Sequence, residues 1–294
     1  MDSDPPYLVS MVTGTCLCGS VRYEVSGPFD MMAHCHCSMC RKHHGAMFST
    51  FVAAPLAGFR YAAGEELIEV FQSSEEGRRP FCSRCGSVTP TIMKDLDLVL
   101  LPAGNLQDVP DARPQMHMFA AARASWFPIT DALPQHAGFP PQFGGGNGIA
   151  RPVPPALPGI TQGSCLCAAV AWQFTGQPER VQNCHCSRCR RARSAAHGTN
   201  AFYKTEQLAW VRGQDDIRSF SLPDAKYFGQ DFCRHCGSPV PRVVQATGLV
   251  VAPCGGFDTA LSMLPLGHVF ATSKAGWYEI TDGLPQWEAY PARS

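Results

Sequence analysis

Surplus charge, long apolar runs and a basic leader are all missing from this chain. Lysine and arginine together number 24, and so do aspartate and glutamate. A balanced chain has no global pull toward nucleic acid or an anionic membrane surface, so neither partner is expected. No apolar run approaches the roughly 18 residues that span a bilayer. The opening MDSDPPYLVSMV carries acids and prolines instead of a basic-plus-apolar signal pattern. A soluble, cytoplasmic protein is therefore expected.

Cysteine, by contrast, is abundant, with 15 among 294 residues. In a reducing compartment so many thiols argue for metal ligation over disulfides, and their C-x-C and C-x-x-C spacings argue the same way. A secreted disulfide protein is the alternative. Hydrophobic residues make up 45% of the chain, enough for a core in each of two ordinary domains.

The cysteine pattern occurs twice. Cys16, Cys18, Cys35, Cys37 and Cys40 recur 149 positions later as Cys165, Cys167, Cys184, Cys186 and Cys189, and Cys82 and Cys85 recur 151 later as Cys233 and Cys236. Gly64, Ile68 and Phe71 still match Gly213, Ile217 and Phe220 at 149, so two residues entered between Phe220 and Cys233. Later segments correspond too: His117 with His268, and residues 126–135 (WFPITDALPQ) with 277–286 (WYEITDGLPQ). This is a duplication of a whole domain, far longer than a solenoid repeat. The first domain is expected over residues 8–136 and the second over 159–294. Residues 137–158, rich in glycine and proline, read as a linker.

Secondary-structure signals are short strands. Val21, Tyr23 and Val25 alternate with polar residues, and Val170, Trp172 and Phe174 repeat the pattern. Residues 98–101 (LVLL) and 249–251 (LVV) read as buried strands, while the segment after Cys40 has room for one helical turn. The expected fold is all-β, built from small twisted sheets around metal sites.

Seven cysteines per copy divide into four plus three. Cys16, Cys18, Cys82 and Cys85 can close a four-sulfur tetrahedron that pins distant segments, as can Cys165, Cys167, Cys233 and Cys236. That leaves Cys35, Cys37 and Cys40, and likewise Cys184, Cys186 and Cys189, as three-sulfur sets. Three soft ligands suit zinc and leave one position open to a substrate. The competing reading is a structural site with a remote fourth ligand such as His34, His43 or His44. Arg41 and Lys42, and Arg190, Arg191 and Arg193, offer cations for the carboxylates of a small anionic thiol, or form ordinary solvated surface. His36 and His185 sit inside the ligand loops as candidate acid/base or supporting groups, or as packing and capping residues. His117 and His268 read as satisfied core histidines, Trp126 and Trp277 as core anchors, and Cys254, which answers Ala103, as a small buried hydrophobe.

Residues 14–19 (GTCLCG), 35–45 (CHCSMCRKHHG) and 81–87 (FCSRCGS) resemble the glutathione-dependent formaldehyde-activating enzyme family, which includes the centromere protein V type. The resemblance covers nearly all of both copies. It implies the zinc-binding β fold shared with Mss4-like proteins, a structural four-cysteine zinc, and a catalytic zinc on Cys35, Cys37 and Cys40. The implied reaction is condensation of formaldehyde with glutathione to S-hydroxymethylglutathione, a carbon–sulfur lyase chemistry. The second copy keeps all seven ligands but has Ala168 for Gly19 and Ser194 for Gly45. Its pocket is therefore expected to differ, with the first copy the better candidate for thiol–aldehyde chemistry and Cys35, Cys37, Cys40, His36, Arg41 and Lys42 as its site. A non-catalytic zinc scaffold for a protein partner is the competing function.

Overall fold

The structure is a computed structural model that describes residues 11–75, 77–146 and 153–291. The opening residues read for a leader, all but the last two of MDSDPPYLVSMV, and the middle of the expected linker lie outside these. Strands dominate, as expected. Among the described residues the only α-helices are Ser38–His44 (α1) and Ser187–Arg193 (α2).

Each copy begins with a three-stranded antiparallel sheet. In the first it is Met11–Thr15, Arg22–Ser26 and Phe59–Ala63; in the second, Ile160–Ser164, Ala171–Thr175 and Leu208–Arg212. The period-two pattern predicts these strands correctly, because Val21, Tyr23, Val25, Val170, Trp172 and Phe174 are all buried. A larger sheet follows, ordered His117–Met118, Met31–Cys35, Ser49–Pro55, Leu98–Pro102, Thr91–Met93 in the first copy. Its counterpart has the same order and adds Gln286–Trp287 at the edge. A hairpin completes each copy, Ile68–Gln72 with Arg78–Cys82, and Ile217–Ser221 with Gly229–Cys233. The two-residue insertion falls in this second hairpin's loop, between the paired ends Ser221 and Gly229.

The short strand at His117 pairs in parallel with the end of Met31–Cys35, setting His117 opposite His34 and Met118 opposite Cys35. His268 and Val269 sit likewise opposite Asn183 and Cys184. This long-range pairing brings each late histidine beside a ligand loop.

The two copies meet as the halves of an isologous dimer would, but within one chain. Thr130 bonds its own counterpart Thr281 at 2.6 Å, and Phe81 meets its counterpart Phe232 edge-on at 6.5 Å. α1 packs on the turn Cys254–Gly256 of the second copy, and α2 on Ala103–Asn105 of the first. The approach is too close for a side chain at the middle residue of either turn. A Cβ on Gly255 would meet Ala46 N at 2.4 Å, and one on Gly104 would meet Ala195 N at 2.1 Å. The largest apolar cluster runs through both copies, from Val12 and Leu101 to Trp172 and Trp277. Burial on this scale makes the pair one hydrophobic unit rather than two beads on a linker.

Candidate metal centres

Cys16, Cys18, Cys82 and Cys85 converge so that all four sulfurs lie within 4.8 Å of one another, and so do Cys165, Cys167, Cys233 and Cys236. Neighbouring sulfurs are 3.3 and 3.8 Å apart in the first set and 3.5 and 3.7 Å in the second. A tetrahedron with metal–sulfur bonds of about 2.3 Å requires edges of about 3.8 Å, so both donor sets fit a closed tetrahedral metal site. Backbone amides complete the sulfur environment, Val21 N to Cys16 Sγ at 3.3 Å and Val170 N to Cys165 Sγ at 3.2 Å.

Cys35, Cys37 and Cys40 form a trio at the same spacing, as do Cys184, Cys186 and Cys189. The local fold explains the first trio. Cys35 ends a strand, Cys37 is the N-cap of α1, and Cys40 lies in its first turn. The cap is a sulfur, since Cys37 Sγ accepts from Cys40 N at 3.3 Å. The helix therefore starts ahead of Cys40 and runs for seven residues, longer than the single turn expected after it. Among the described residues no histidine or carboxylate joins either trio at this spacing, so the remote-ligand reading finds no candidate. His34 bonds Thr50 instead, His43 the Cys236 carbonyl, and His44 the carbonyls of Arg193 and Ser194.

Within the first trio the electrostatics favour thiolate at Cys40 alone, while hydrogen bonding among the thiols and burial leave Cys35 well above its ordinary pKa and Cys37 raised to about 12. Hydrogen bonding with Cys35 and then Cys37 holds the Cys40 thiol well below its ordinary pKa against burial, and Arg79 adds to the effect. The guanidinium donates from Nη1 to Cys40 Sγ at 3.3 Å. No sequence argument singled out Arg79, although it stands just before the Cys82 knuckle.

His36 is fully buried and shares a 2.8 Å bond from Nε2 to His117 Nδ1. His117 Nε2 in turn contacts both Asp131 oxygens at 2.9 and 3.0 Å. Because a carboxylate accepts, His117 Nε2 donates, its Nδ1 accepts, and His36 Nε2 donates. A neutral His36 then presents a lone pair at Nδ1, which has no partner among the described residues. Burial lowers the His36 pKa to about 3, with His117, Arg41 and Arg123 adding to the effect, which keeps it neutral. His185, His268 and Asp282 repeat the chain at 2.8, 3.0 and 3.1 Å. The late histidines are satisfied, as expected, but as links to the ligand loops. The recurrence of both histidine and aspartate at equal spacing in the two copies was the available signal.

A cleft of about 600 Å³ opens beside the first trio. Cys37, Arg41, Arg123 and Trp126 line it from the first copy, Val153, Pro154 and Ala156 from the segment between the two repeats, and residues 257–260 from the second copy. Trp126, expected as a core anchor, is thus partly exposed at the cleft wall, whereas Trp277 is buried. Arg41 also donates from Nε to the His36 carbonyl at 3.3 Å.

Lys42 is elsewhere. It is buried against the second copy, paired with Asp258 at 2.6 Å and donating to Ser164. An ammonium so engaged is not available to a ligand in the cleft, which corrects the role expected of it. The same holds for the residues that were expected to form a pocket wall. Gly45 has φ +61, and a Cβ there would meet Pro239 of the second copy at 2.9 Å. Ser194 adopts φ +50 at its counterpart position and donates to the Val88 carbonyl at 3.2 Å, which offsets the strain. Both positions belong to the contact between copies.

The family described as glutathione-dependent formaldehyde-activating enzyme matches residues 11–122 and again 160–273. A Halomonas elongata protein named "Putative glutathione-dependent formaldehyde-activating enzyme" is 26% identical over 127 residues, covering 40% of this chain and 81% of that protein. A crystal structure of a Rhodobacter sphaeroides protein, 28% identical, covers 34% of this chain and 91% of that one with a TM-score of 0.28. Matched over most of its length and once in each copy, the chain belongs to the glutathione-dependent formaldehyde-activating enzyme family.

Proposed function

We propose that the first copy is a zinc-dependent enzyme of the carbon–sulfur lyase type, joining a small thiol such as glutathione to formaldehyde or another aldehyde and releasing them in reverse. The observation that carries this reading is that Cys37 lines a cleft together with two guanidinium groups, Arg41 and Arg123. A soft-metal donor set beside planar cations suits a ligand that carries both sulfur and carboxylates. Family membership supports the same substrate class.

Zinc on Cys35, Cys37 and Cys40 would supply a Lewis acid that favours the thiolate form of a bound thiol. Arg41 and Arg123 hold the carboxylates and orient the sulfur. Phe119 and Trp126 bound the cleft with apolar surface and limit water. Asp131 and His117 fix the orientation of His36, and through it the loop that carries the ligands. In the forward reaction the thiol sulfur attacks the carbonyl carbon, a carbon–sulfur bond forms, and the carbonyl π bond opens. The thiol proton ends on the new hydroxyl oxygen. The second copy supplies residues 257–260 to the cleft and in this reading serves mainly to complete it. A reducing compartment such as the cytoplasm suits the four thiolate clusters.

The test is exchange spectroscopy of glutathione and formaldehyde with the wild-type chain, Cys37→Ser and Arg41→Ala. Accelerated exchange that is lost in Cys37→Ser is expected. No acceleration by a fully metal-loaded wild type would return the protein to the scaffold reading.

A further inference from the structure

Each trio of sulfurs has a guanidinium side chain in its neighbourhood, half-buried Arg79 in the first copy and buried Arg193 in the second, and the two copies draw it from different places in the chain. In the first copy Arg79, on the strand Arg78–Cys82, donates to Cys40 Sγ at 3.3 Å and to Ser73 Oγ at 3.2 Å. The equivalent position, three residues ahead of Cys233, is Gln230. The cation lost from that strand reappears on the helix, where Arg193 stands in place of His44. Arg193 donates to Gln230 Oε1 at 2.7 Å and to Asn200 Oδ1 at 3.0 Å. Arg193 lies one helical turn beyond Cys189, and a Cβ on Gly198 would touch both Arg193 Cγ at 3.4 Å and Cys189 Cβ at 3.5 Å.

Among the described residues neither guanidinium has a carboxylate within ion-pair distance. A cation withdrawn from water is costly unless an anion compensates it, and among the described residues the acidic groups that act on both guanidiniums are cysteine sulfurs. Three thiolates around a divalent metal carry a net charge of about −1, so one guanidinium balances one such centre. Losing the arginine at one position and gaining it at another preserves this balance, which a packing role alone does not require.

We propose that Arg79 and Arg193 are the counter-ions of the two three-sulfur metal centres, each neutralising its centre so that an anionic sulfur from outside is not repelled from the open position. They are positioning residues, since they act on the ligands and not on substrate. Arg79 bonds a ligand sulfur directly, whereas Arg193 is tied to Gln230 and Asn200. The first centre therefore has the sulfur whose electron density is most withdrawn, and it takes an added thiolate more readily. This rests on the reading that the trios hold zinc.

The experiment measures zinc release to a chromogenic chelator and glutathione binding by cobalt-substituted protein, for the full-length wild type, Arg79→Gln, Arg79→Lys and Arg193→Gln. Cys37→Ser and Cys186→Ser identify the signal of each trio. Arg79→Gln is expected to weaken zinc and glutathione binding at the first trio by about 10- to 100-fold, with Arg79→Lys recovering most of it. Arg193→Gln should weaken zinc at the second trio alone. A wild type holding only two zinc ions removes the metal reading of the trios and this proposal with it. Four zinc ions, with Arg79→Gln indistinguishable from wild type, would overturn the counter-ion role and leave the metal reading intact. Loss of the four-cysteine zincs in Arg79→Gln, unrelieved by lysine, would mark Arg79 as a fold-holding residue and likewise overturn it.

Discussion

Lys42 Nζ and Asp258 Oδ1 meet at 2.6 Å across the contact between copies, with only 8% and 14% of their side chains exposed. Ser164 bridges them, accepting from Lys42 and donating to Asp258 at 2.7 Å. The counterparts Arg191, Gln107 and Thr15 contain no acid, so this ion pair forms on one side only. Removing one partner of a buried pair leaves the other uncompensated. Lys42→Met should therefore cost about 3–5 kcal/mol in denaturant unfolding, with part recovered in Lys42→Met/Asp258→Asn. A loss below about 1 kcal/mol would mean that the pair contributes no more than a surface bridge.

Metal analysis of anaerobically purified protein should give four zinc ions per chain and no iron. Cys82→Ser opens a closed site that ties remote segments and should lower the melting temperature sharply. Cys37→Ser should leave the fold largely intact while removing thiol binding. Equal destabilisation by both would make the trio structural.

The two copies should be unequal in turnover. The described cleft lies beside the first trio, so Cys37→Ser should abolish glutathione–formaldehyde exchange while Cys186→Ser retains it. The reverse result would exchange the assignment of the two copies.

Asp131 holds His117 in the tautomer that accepts from His36. Asparagine can present its amide to His117 and let the ring donate in the opposite sense. Asp131→Asn should lower turnover about 10- to 100-fold without loss of the four-cysteine zincs, whereas Asp282→Asn should leave turnover unchanged. Equal effects of the two variants would show that both copies turn over substrate.

Acid should weaken the contact between copies. His44 is buried there, and burial lowers its pKa to about 4 from an ordinary 6.5. His197, also buried, is lowered for the same reason first, with His185 adding to it. The unfolded chain then binds more protons than the folded one below about pH 6.5. Stability is complete above that value and falls toward pH 4, by at most about 1.4 kcal/mol per pH unit for each such histidine. His44→Gln should flatten this slope in unfolding experiments, and an unchanged slope would remove His44 from the account.

The duplicated pattern, the sorting of fourteen cysteines into four plus three per copy, and the alternating strands were all legible in the sequence. Each depends on separations of a few residues. A C-x-C-x-x-C loop leaves its sulfurs near one another almost whatever surrounds it, and alternation at Val21, Tyr23 and Val25 directly reports a buried face. The resemblance to the family rested on the same short segments.

What the tertiary structure decided lies at separations of dozens to well over a hundred residues. Lys42 and Gly45 read as pocket residues because they follow Cys40, yet the close docking of α1 onto the Cys254–Gly256 turn turns them toward the other copy. Arg79 reaches Cys40 and His117 reaches His36 through strand pairing that no local pattern encodes. Ligand identity was determined by spacing along the chain, where covalent geometry limits the options. Charge, orientation and the cleft wall were determined by which surfaces the two copies buried against each other, since apolar burial is non-directional and selects a partner only through the complete shape of both faces.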